Sequence, residues 1–216
     1  PKYHLAEIEP EPQTCRDVLN SEYRDLWSEA MERELTELQS ANAFSPTNLP
    51  PDIKTIGAKW IYKWKTDEMG IVTKAKARLV AKGYNKKLGV DYFETFAPAP
   101  PASTIRLLTA VANEQRLELI HFDVEQAFLH ANIDEEVFVR LPPGCGDLSG
   151  KTVRLHRALY GCKKSSRAWN MHLTATLKSF GFEQFEADPC LFRYMDEEEV
   201  PLLVVTHVDD MIAAGS

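Results

Sequence analysis

Between Leu202 and Gly215 two apolar runs, the first rich in β-branched residues, flank a pair of adjacent carboxylates, Asp209 and Asp210. That pattern folds as a β-hairpin with acids at its tip. On its own an Asp-Asp pair between strands is an ordinary solvated turn. A second stretch, Leu119 to Leu129, changes its meaning, because there an alternating strand delivers Asp123 at its end, shortly before Ala127 and Phe128. If the two strands are neighbours in one sheet, three carboxylates converge. Such anions repel one another by an amount on the order of several kcal/mol unless cations lie between them. Hard oxygen donors of this kind favour Mg²⁺, and a pair of such ions can carry phosphoryl transfer.

The chain can bury a sizeable core, as one domain or as two small lobes, with 216 residues of which 44% are hydrophobic. No apolar run approaches the ~20 residues that span a bilayer, and the N-terminus has no basic-then-apolar pattern, so a protein that is not secreted and has no membrane partner is expected. Cys15, Cys145, Cys162 and Cys190 are scattered without a Cys-x-x-Cys pair, which reads as reduced thiols in the cytoplasm or nucleus. The net charge of -7 argues against a polyanionic partner until its distribution is considered. Residues 52–87 carry ten Lys/Arg against three acids, and residues 151–178 carry seven and no acid, whereas the first forty residues hold ten acids against four bases. Two basic segments therefore sit in an acidic protein.

In chain order, residues 1–22 are rich in Pro and Glu and read as a linker or tail. From Asp25 to Ala41, Leu26, Trp27, Ala30, Met31, Leu35 and Leu38 recur at helical spacing. Lys59 to Lys65 alternates aromatic with basic residues, and after the turn at Asp67 to Gly70, Lys74, Lys76, Arg78, Val80 and Lys82 share one face of a returning strand. One face of this hairpin is cationic, as suits a triphosphate or a nucleic-acid backbone. Tyr84, Tyr92, Phe93 and Phe96 follow among turn residues, and Pro98, Pro100 and Pro101 punctuate a lobe boundary. A helix over 103–115, capped by Ser103, feeds the Asp123 strand. Short strands at 137–141 and 152–155, a helix over 165–180 and a strand at Cys190 to Phe192 complete the order α-β-β-β-α-β before the acidic hairpin. His4, His121, His130, His156 and His172 lack the spacing of metal ligands and read as structural or surface residues, while Trp60, Trp64 and Trp169 read as core.

Helices against one face of an antiparallel sheet, with acids on two central strands, is the arrangement expected of a polymerase palm. Several long motifs then resemble one family: Lys74 to Gly83, Gly89 to Pro98, Thr104-Ile105-Arg106, Phe122-Asp123-Val124 with Ala127-Phe128-Leu129, Leu159-Tyr160-Gly161, and Val208-Asp209-Asp210. In this order they are similar to the reverse transcriptases of copia-type LTR retrotransposons, from about Trp27 to Ser216.

The resemblance implies an α+β reverse-transcriptase-like fingers-and-palm fragment of a Pol polyprotein, with an antiparallel palm sheet, helices on one face and no thumb. It divides the chain into a linker or tail (1–22), fingers with an N-terminal helix (23–101), palm (102–130), a fingers/palm connection (131–164) and palm again (165–216). Asp123, Asp209 and Asp210 resemble the catalytic carboxylates that hold two Mg²⁺ ions, with Mn²⁺ as a substitute and the Val124 carbonyl as a further ligand. Lys63, Lys65, Arg78, Phe128 and Tyr160 match positions that contact the incoming dNTP. His207, Lys74, Lys76 and Lys164 match positions near primer and template. The implied partners are an RNA template, a DNA primer, dNTP and the rest of the Pol polyprotein, including thumb, RNase H and integrase. The implied setting is a cytoplasmic virus-like particle or the nucleus. The sequence departs from the pattern at His207, where Tyr is usual, and at Cys162, Lys164 and Ser166, where Leu, Gln and Pro are usual. These departures, with a pattern that stops just after the acidic hairpin, leave a second reading: a truncated or decayed non-catalytic remnant that at most binds nucleic acid.

Overall fold

The computed structural model of the chain describes residues 3–51, 53–83, 97–195 and 201–216. In chain order the elements are α1 (Cys15–Asn20), α2 (Arg24–Ser40), β1 (Phe44–Pro46), β2 (Ile56–Thr66), β3 (Val72–Ala81), α3 (Ala102–Gln115), β4 (Glu118–Asp123), α4 (Ala127–His130), β5 (Phe138–Arg140), β6 (Thr152–Leu155), α5 (Ser165–Ser179), β7 (Glu183–Gln184), β8 (Leu191–Met195), β9 (Pro201–His207) and β10 (Asp210–Gly215). They form a mixed α+β fold in two compact units, Pro1–Phe93 with Asn132–Lys163, and Glu94–Ala131 with Lys164–Ser216. Tyr84, Tyr92, Phe93 and Phe96 lie outside the described residues. Among the described residues no helix is long and apolar enough to cross a membrane.

The first unit is built on a five-stranded sheet in the order β1-β6-β5-β2-β3. Only β2 and β5 pair in parallel; the other neighbours are antiparallel. Strict alternation in β2 buries Ile56, Ala58, Trp60, Tyr62 and Trp64 on one face, and α2 lays Trp27, Ala30, Met31 and Leu38 against the sheet. Trp27 is the centre of that core, its ring 4.2 Å from Trp64 and 5.6 Å from Tyr62 between centroids. The aromatic rings supply the large apolar area that a small unit needs.

Residues 1–22, expected as a linker or tail, are tied to the first unit over their described part. The Leu5 N–H donates to the Gly70 carbonyl at 3.0 Å, the Val72 N–H to the Tyr3 carbonyl at 2.9 Å and the Trp64 indole to the Glu9 carbonyl at 3.2 Å. Thr14 and Asp17 form a reciprocal capping box at the start of α1, whose Val18 is buried. Few of these residues are apolar, but they satisfy backbone groups and an indole that belong to a distant hairpin, and composition carries no trace of such pairing.

Glu34 is an acid on the inner face of α2, 4% exposed, and its carboxylate accepts the Leu79 N–H at 3.0 Å. β3 is the outer strand of its sheet, so this N–H faces away from the ladder, and a buried donor left unpaired is costly. Glu34→Ala is therefore expected to destabilise the chain by ~2 kcal/mol in urea unfolding, whereas Glu34→Gln, which keeps an acceptor, costs under ~1 kcal/mol. Equal costs for the two would show that the Leu79 N–H finds another acceptor. The buried thiols nearby and in the second unit are inert: burial pushes Cys145 up to about 12 and Cys190 up to about 11, so both stay protonated at neutral pH.

The second unit carries an antiparallel sheet in the order β4-β10-β9-β8-β7. The Asp123 strand, expected at the centre, is an outer strand of this sheet, and every residue of it is exposed. The helices also depart from the expected one-sided arrangement. Leu108 and Ala112 of α3 pack with Val205 and Ala214, while Trp169 and Leu173 of α5 line a small cavity with Thr206 and Val208, whose side chains alternate to the other face. The cause lies in β9, where Leu203, Val204 and Val205 are consecutive apolar residues and so need cover on both faces. α3 begins one residue earlier than expected, with Pro101 rather than Ser103 at its N-cap.

Candidate functional site

β10 pairs antiparallel with β4 in a register that sets Asp210 opposite Asp123, Met211 opposite Phe122 and Ile212 opposite His121. The Val124 N–H donates to the Asp209 carbonyl at 2.9 Å, one step beyond the Asp pair. In an antiparallel ladder this alternation makes Asp123 and Asp210 a pair without mutual backbone bonds, the kind whose side chains stand closest, with Cβ atoms ~4.5–5.5 Å apart. Two carboxylates directly opposite on one face repel each other. His121, two residues before Asp123 on the same face, brings Nε2 to 3.4 Å from Asp210 Oδ1, a contact that becomes an ion pair when the imidazole is protonated. His121, which from sequence reads as a structural or surface residue, lies on the acid face by its spacing of two from Asp123.

Asp209 lies in the two-residue turn between β9 and β10, and His207, exposed at the end of β9, stands opposite Asp210. Among the described residues no three His, Cys, Asp or Glu side chains gather as a metal-binding group. The donor set itself is of the right chemistry: carboxylates and a backbone carbonyl are the hard oxygen ligands that Mg²⁺ takes.

The backbone around these acids is held in uncommon conformations. Val208, the first residue of the turn, has φ +58°, and Gln126, which precedes α4, has φ +52°. A positive φ at the first turn position is what primed hairpin turns demand, and a β-branched residue there carries strain of about 1–3 kcal/mol. Trp169 of α5 meets that turn directly. Its indole N–H donates to the Val208 carbonyl at 2.7 Å, and its ring is 4% exposed.

Lys164 is the N-cap residue of α5 and offers no side-chain cap bond to the helix. Phe128 is buried in α4, 6% exposed, rather than presented to solvent.

In the first unit the β2–β3 register gathers the expected cations on one face. Lys63 stands opposite Lys76, Lys65 opposite Lys74, and Ile61 opposite Arg78. Like charges directly opposed across two strands cost stability unless an anion is shared between them. The crowding is felt at Lys76, where burial, then Arg78, Lys65 and Lys74, hold the ammonium below its ordinary range. Lys63 also reaches Glu11 at 3.1 Å. Burial raises the Glu11 carboxyl, but bonds from its own backbone, from Lys63 and from the Trp64 N–H outweigh that and hold it low. The Arg78 guanidinium carbon lies 4.6 Å from the centre of the Tyr160 ring, a cation–π contact. Tyr160 is delivered there by a backbone clasp in which the Ala81 N–H donates to the Tyr160 carbonyl at 2.8 Å.

A family model described as Reverse transcriptase (RNA-dependent DNA polymerase) matches residues 41–216. The chain is 31% identical over 217 residues to a retrovirus-related Pol polyprotein from transposon TNT 1-94 of Nicotiana tabacum, a match covering 99% of this chain and 16% of that protein. It is 34% identical over 222 residues to a retrovirus-related Pol polyprotein from transposon RE1 of Arabidopsis thaliana, covering 100% of this chain and 15% of that protein. The transposon Ty1-ER2 Gag-Pol polyprotein of Saccharomyces cerevisiae is 30% identical over 143 residues, 63% of this chain and 8% of that protein. The chain thus spans less than a fifth of the length of these relatives.

Proposed function

The chain belongs to the reverse transcriptase (RNA-dependent DNA polymerase) family, as found in the Pol polyproteins of copia-type transposons, and from that premise we propose that it carries nucleotidyl transfer from dNTP to a primer 3′-hydroxyl on an RNA template. The observation that carries the reading is the register that sets Asp123 directly opposite Asp210, with Asp209 in the adjoining turn. Opposed carboxylates on an exposed strand end are unfavourable by themselves, and binding of divalent cations turns that cost into affinity.

In this reading Asp123, Asp209, Asp210 and the Val124 carbonyl hold two Mg²⁺ ions. When bound, the ions supply acidification of the primer hydroxyl and neutralisation of the triphosphate charge. The primer hydroxyl gives its proton to solvent, its oxygen bonds to the α-phosphorus, the bond from that phosphorus to the bridging oxygen breaks, and pyrophosphate leaves in line. By the resemblance, Lys63, Lys65 and Arg78 of the first unit take positions that contact the phosphates of dNTP, and the Tyr160 ring packs against the Arg78 guanidinium. Lys74, Lys76 and Lys164 hold template or primer phosphates, and the His207 ring packs at the primer end in place of the usual Tyr. Phe128 at the sugar 2′ position rests on the resemblance alone.

The test is primer extension on an RNA template with dNTP and Mg²⁺, by this chain and by this chain joined to the segment that follows the matched region in the Nicotiana tabacum relative. Extension that requires the template and the divalent ion is the expected result. Binding of primer and template without extension in either form would overturn the catalytic reading in favour of a remnant that binds nucleic acid.

A further inference from the structure

Trp169 lies where the two acid-bearing segments of the second unit come together, and nothing in the sequence motifs assigns it a task. Its indole N–H donates to the Val208 carbonyl at 2.7 Å, and Val208 is the positive-φ residue immediately before Asp209 and Asp210. Its ring lies 6.1 Å, between centroids, from that of His130 in α4, and His130 Nε2 is 3.1 Å from the carbonyl of Glu125, two residues beyond Asp123. One side chain, 4% exposed, thus meets the turn that carries Asp209 and Asp210 and the helix that follows Asp123.

We propose that Trp169 is a positioning residue, whose indole N–H anchors the Val208 carbonyl and so keeps Asp209 and Asp210 in register with Asp123 for nucleotidyl transfer. The catalytic part of this inference rests on the polymerase reading; the anchoring part does not. A β-branched residue leaves positive φ readily, because its own side chain crowds the backbone there, and a turn that relaxes carries the following two carboxylates with it. The hydrogen bond opposes that relaxation at the one carbonyl the turn must keep in place. Glycine needs no such help, since it occupies positive φ about as easily as negative.

The experiment is a double-mutant cycle between Trp169→Phe and Val208→Gly, with Leu173→Ala as a packing control on the same helix. A second form of the protein carries β-(3-benzothienyl)alanine at position 169, which keeps the bicyclic ring and lacks only the N–H. In the 216-residue chain, loss of the N–H is expected to speed amide exchange in the turn and at the start of β10 by ~10-fold, while exchange in β8 is unchanged. In the joined chain that extends primers, the same loss is expected to lower kcat by ~10-fold with KM for dNTP within about twofold, as for a group that acts on the geometry of the acids and not on nucleotide binding. In the Val208→Gly background the effect of losing the N–H shrinks to within about twofold, whereas that of Leu173→Ala is undiminished. Unchanged turn exchange in the benzothienyl form, or an equal loss of kcat in both backgrounds, would overturn the proposal. An unmodified chain with no extension activity overturns the polymerase reading instead, and the exchange measurement still decides whether Trp169 anchors the turn.

Discussion

Asp123→Asn is expected to lower primer extension by ~10³-fold or more, the equivalent of about 4 kcal/mol of transition-state stabilisation, while leaving the fold slightly more stable without divalent ions. The two effects have opposite signs for one physical reason. In the metal-free chain Asp123 faces Asp210 across the ladder, and neutralising one of two opposed carboxylates removes a repulsion of ~0.5 kcal/mol. If the same carboxylate holds Mg²⁺ as proposed, its loss weakens ion binding and the charge balance at the reacting phosphate. Asp123 is a cleaner choice than Asp210, whose contact with His121 would be lost as well.

Thermal unfolding with and without Mg²⁺ supplies a readout that does not depend on turnover. A ligand that binds only the folded state raises stability by RT ln(1 + [L]/Kd), so the unmodified chain is expected to gain in Tm once Mg²⁺ exceeds its dissociation constant, and the Asn variant to gain less. A variant that loses activity and also melts earlier in the absence of metal would show that Asp123 supports the strand rather than the chemistry. Full activity in the variant would remove the carboxylates from the reaction altogether.

What was legible in the sequence follows the range of the interactions that decide each element. The cationic hairpin and the acidic hairpin were both readable because their signals are local: β2 alternates aromatic and basic residues, and its turn is set by Asp67, whose side chain accepts the N–H groups of Met69 and Ile71. The helix over Arg24–Ser40 was readable from its apolar spacing. The position of β4 at the outside of its sheet was not, since His121, Phe122 and Asp123 alternate in the same way whether a strand is flanked on one side or two. Nor was the two-sided cover of β9, where the helix that fills each face is fixed by contacts between residues far apart in the chain, such as Leu108 with Val205 and Trp169 with Val208. The acids drew notice only in combination, since an Asp-Asp turn between strands is ordinary until a second strand that ends in an acid can stand beside it. His121 and Trp169 were missed because a histidine on a strand and a tryptophan on a helix are ordinary there, and only register and a single hydrogen bond set them apart.

Gly161→Ala is expected to be the most damaging small substitution in the first unit, at ~3 kcal/mol or more, because a backbone clasp leaves no room for a methyl group. Gly161 follows Tyr160 and has φ +83°. A Cβ at this position would meet the Ala81 carbonyl oxygen and Val80 Cγ1 closer than real Cβ atoms approach any neighbour. Its own carbonyl accepts the Gly83 N–H at 3.2 Å, beside the bond from Ala81 to Tyr160. The cost has two parts that can be separated. An L side chain at positive φ costs ~1–2 kcal/mol anywhere, and forcing atoms into a packed contact adds ~1–3 kcal/mol. Gly150 supplies the control, since it has φ +73° and open space where its Cβ would stand, so Gly150→Ala is expected to cost only the first part. Urea unfolding of the two variants should therefore differ by ~2 kcal/mol. The steric part is also expected to displace Tyr160 from beneath Arg78, so if these residues hold dNTP as proposed, Gly161→Ala is expected to weaken binding of a fluorescent dNTP where Gly150→Ala does not. Equal destabilisation by the two variants would show that the clasp yields to a methyl group, and that the Leu159-Tyr160-Gly161 turn is held by conformation alone.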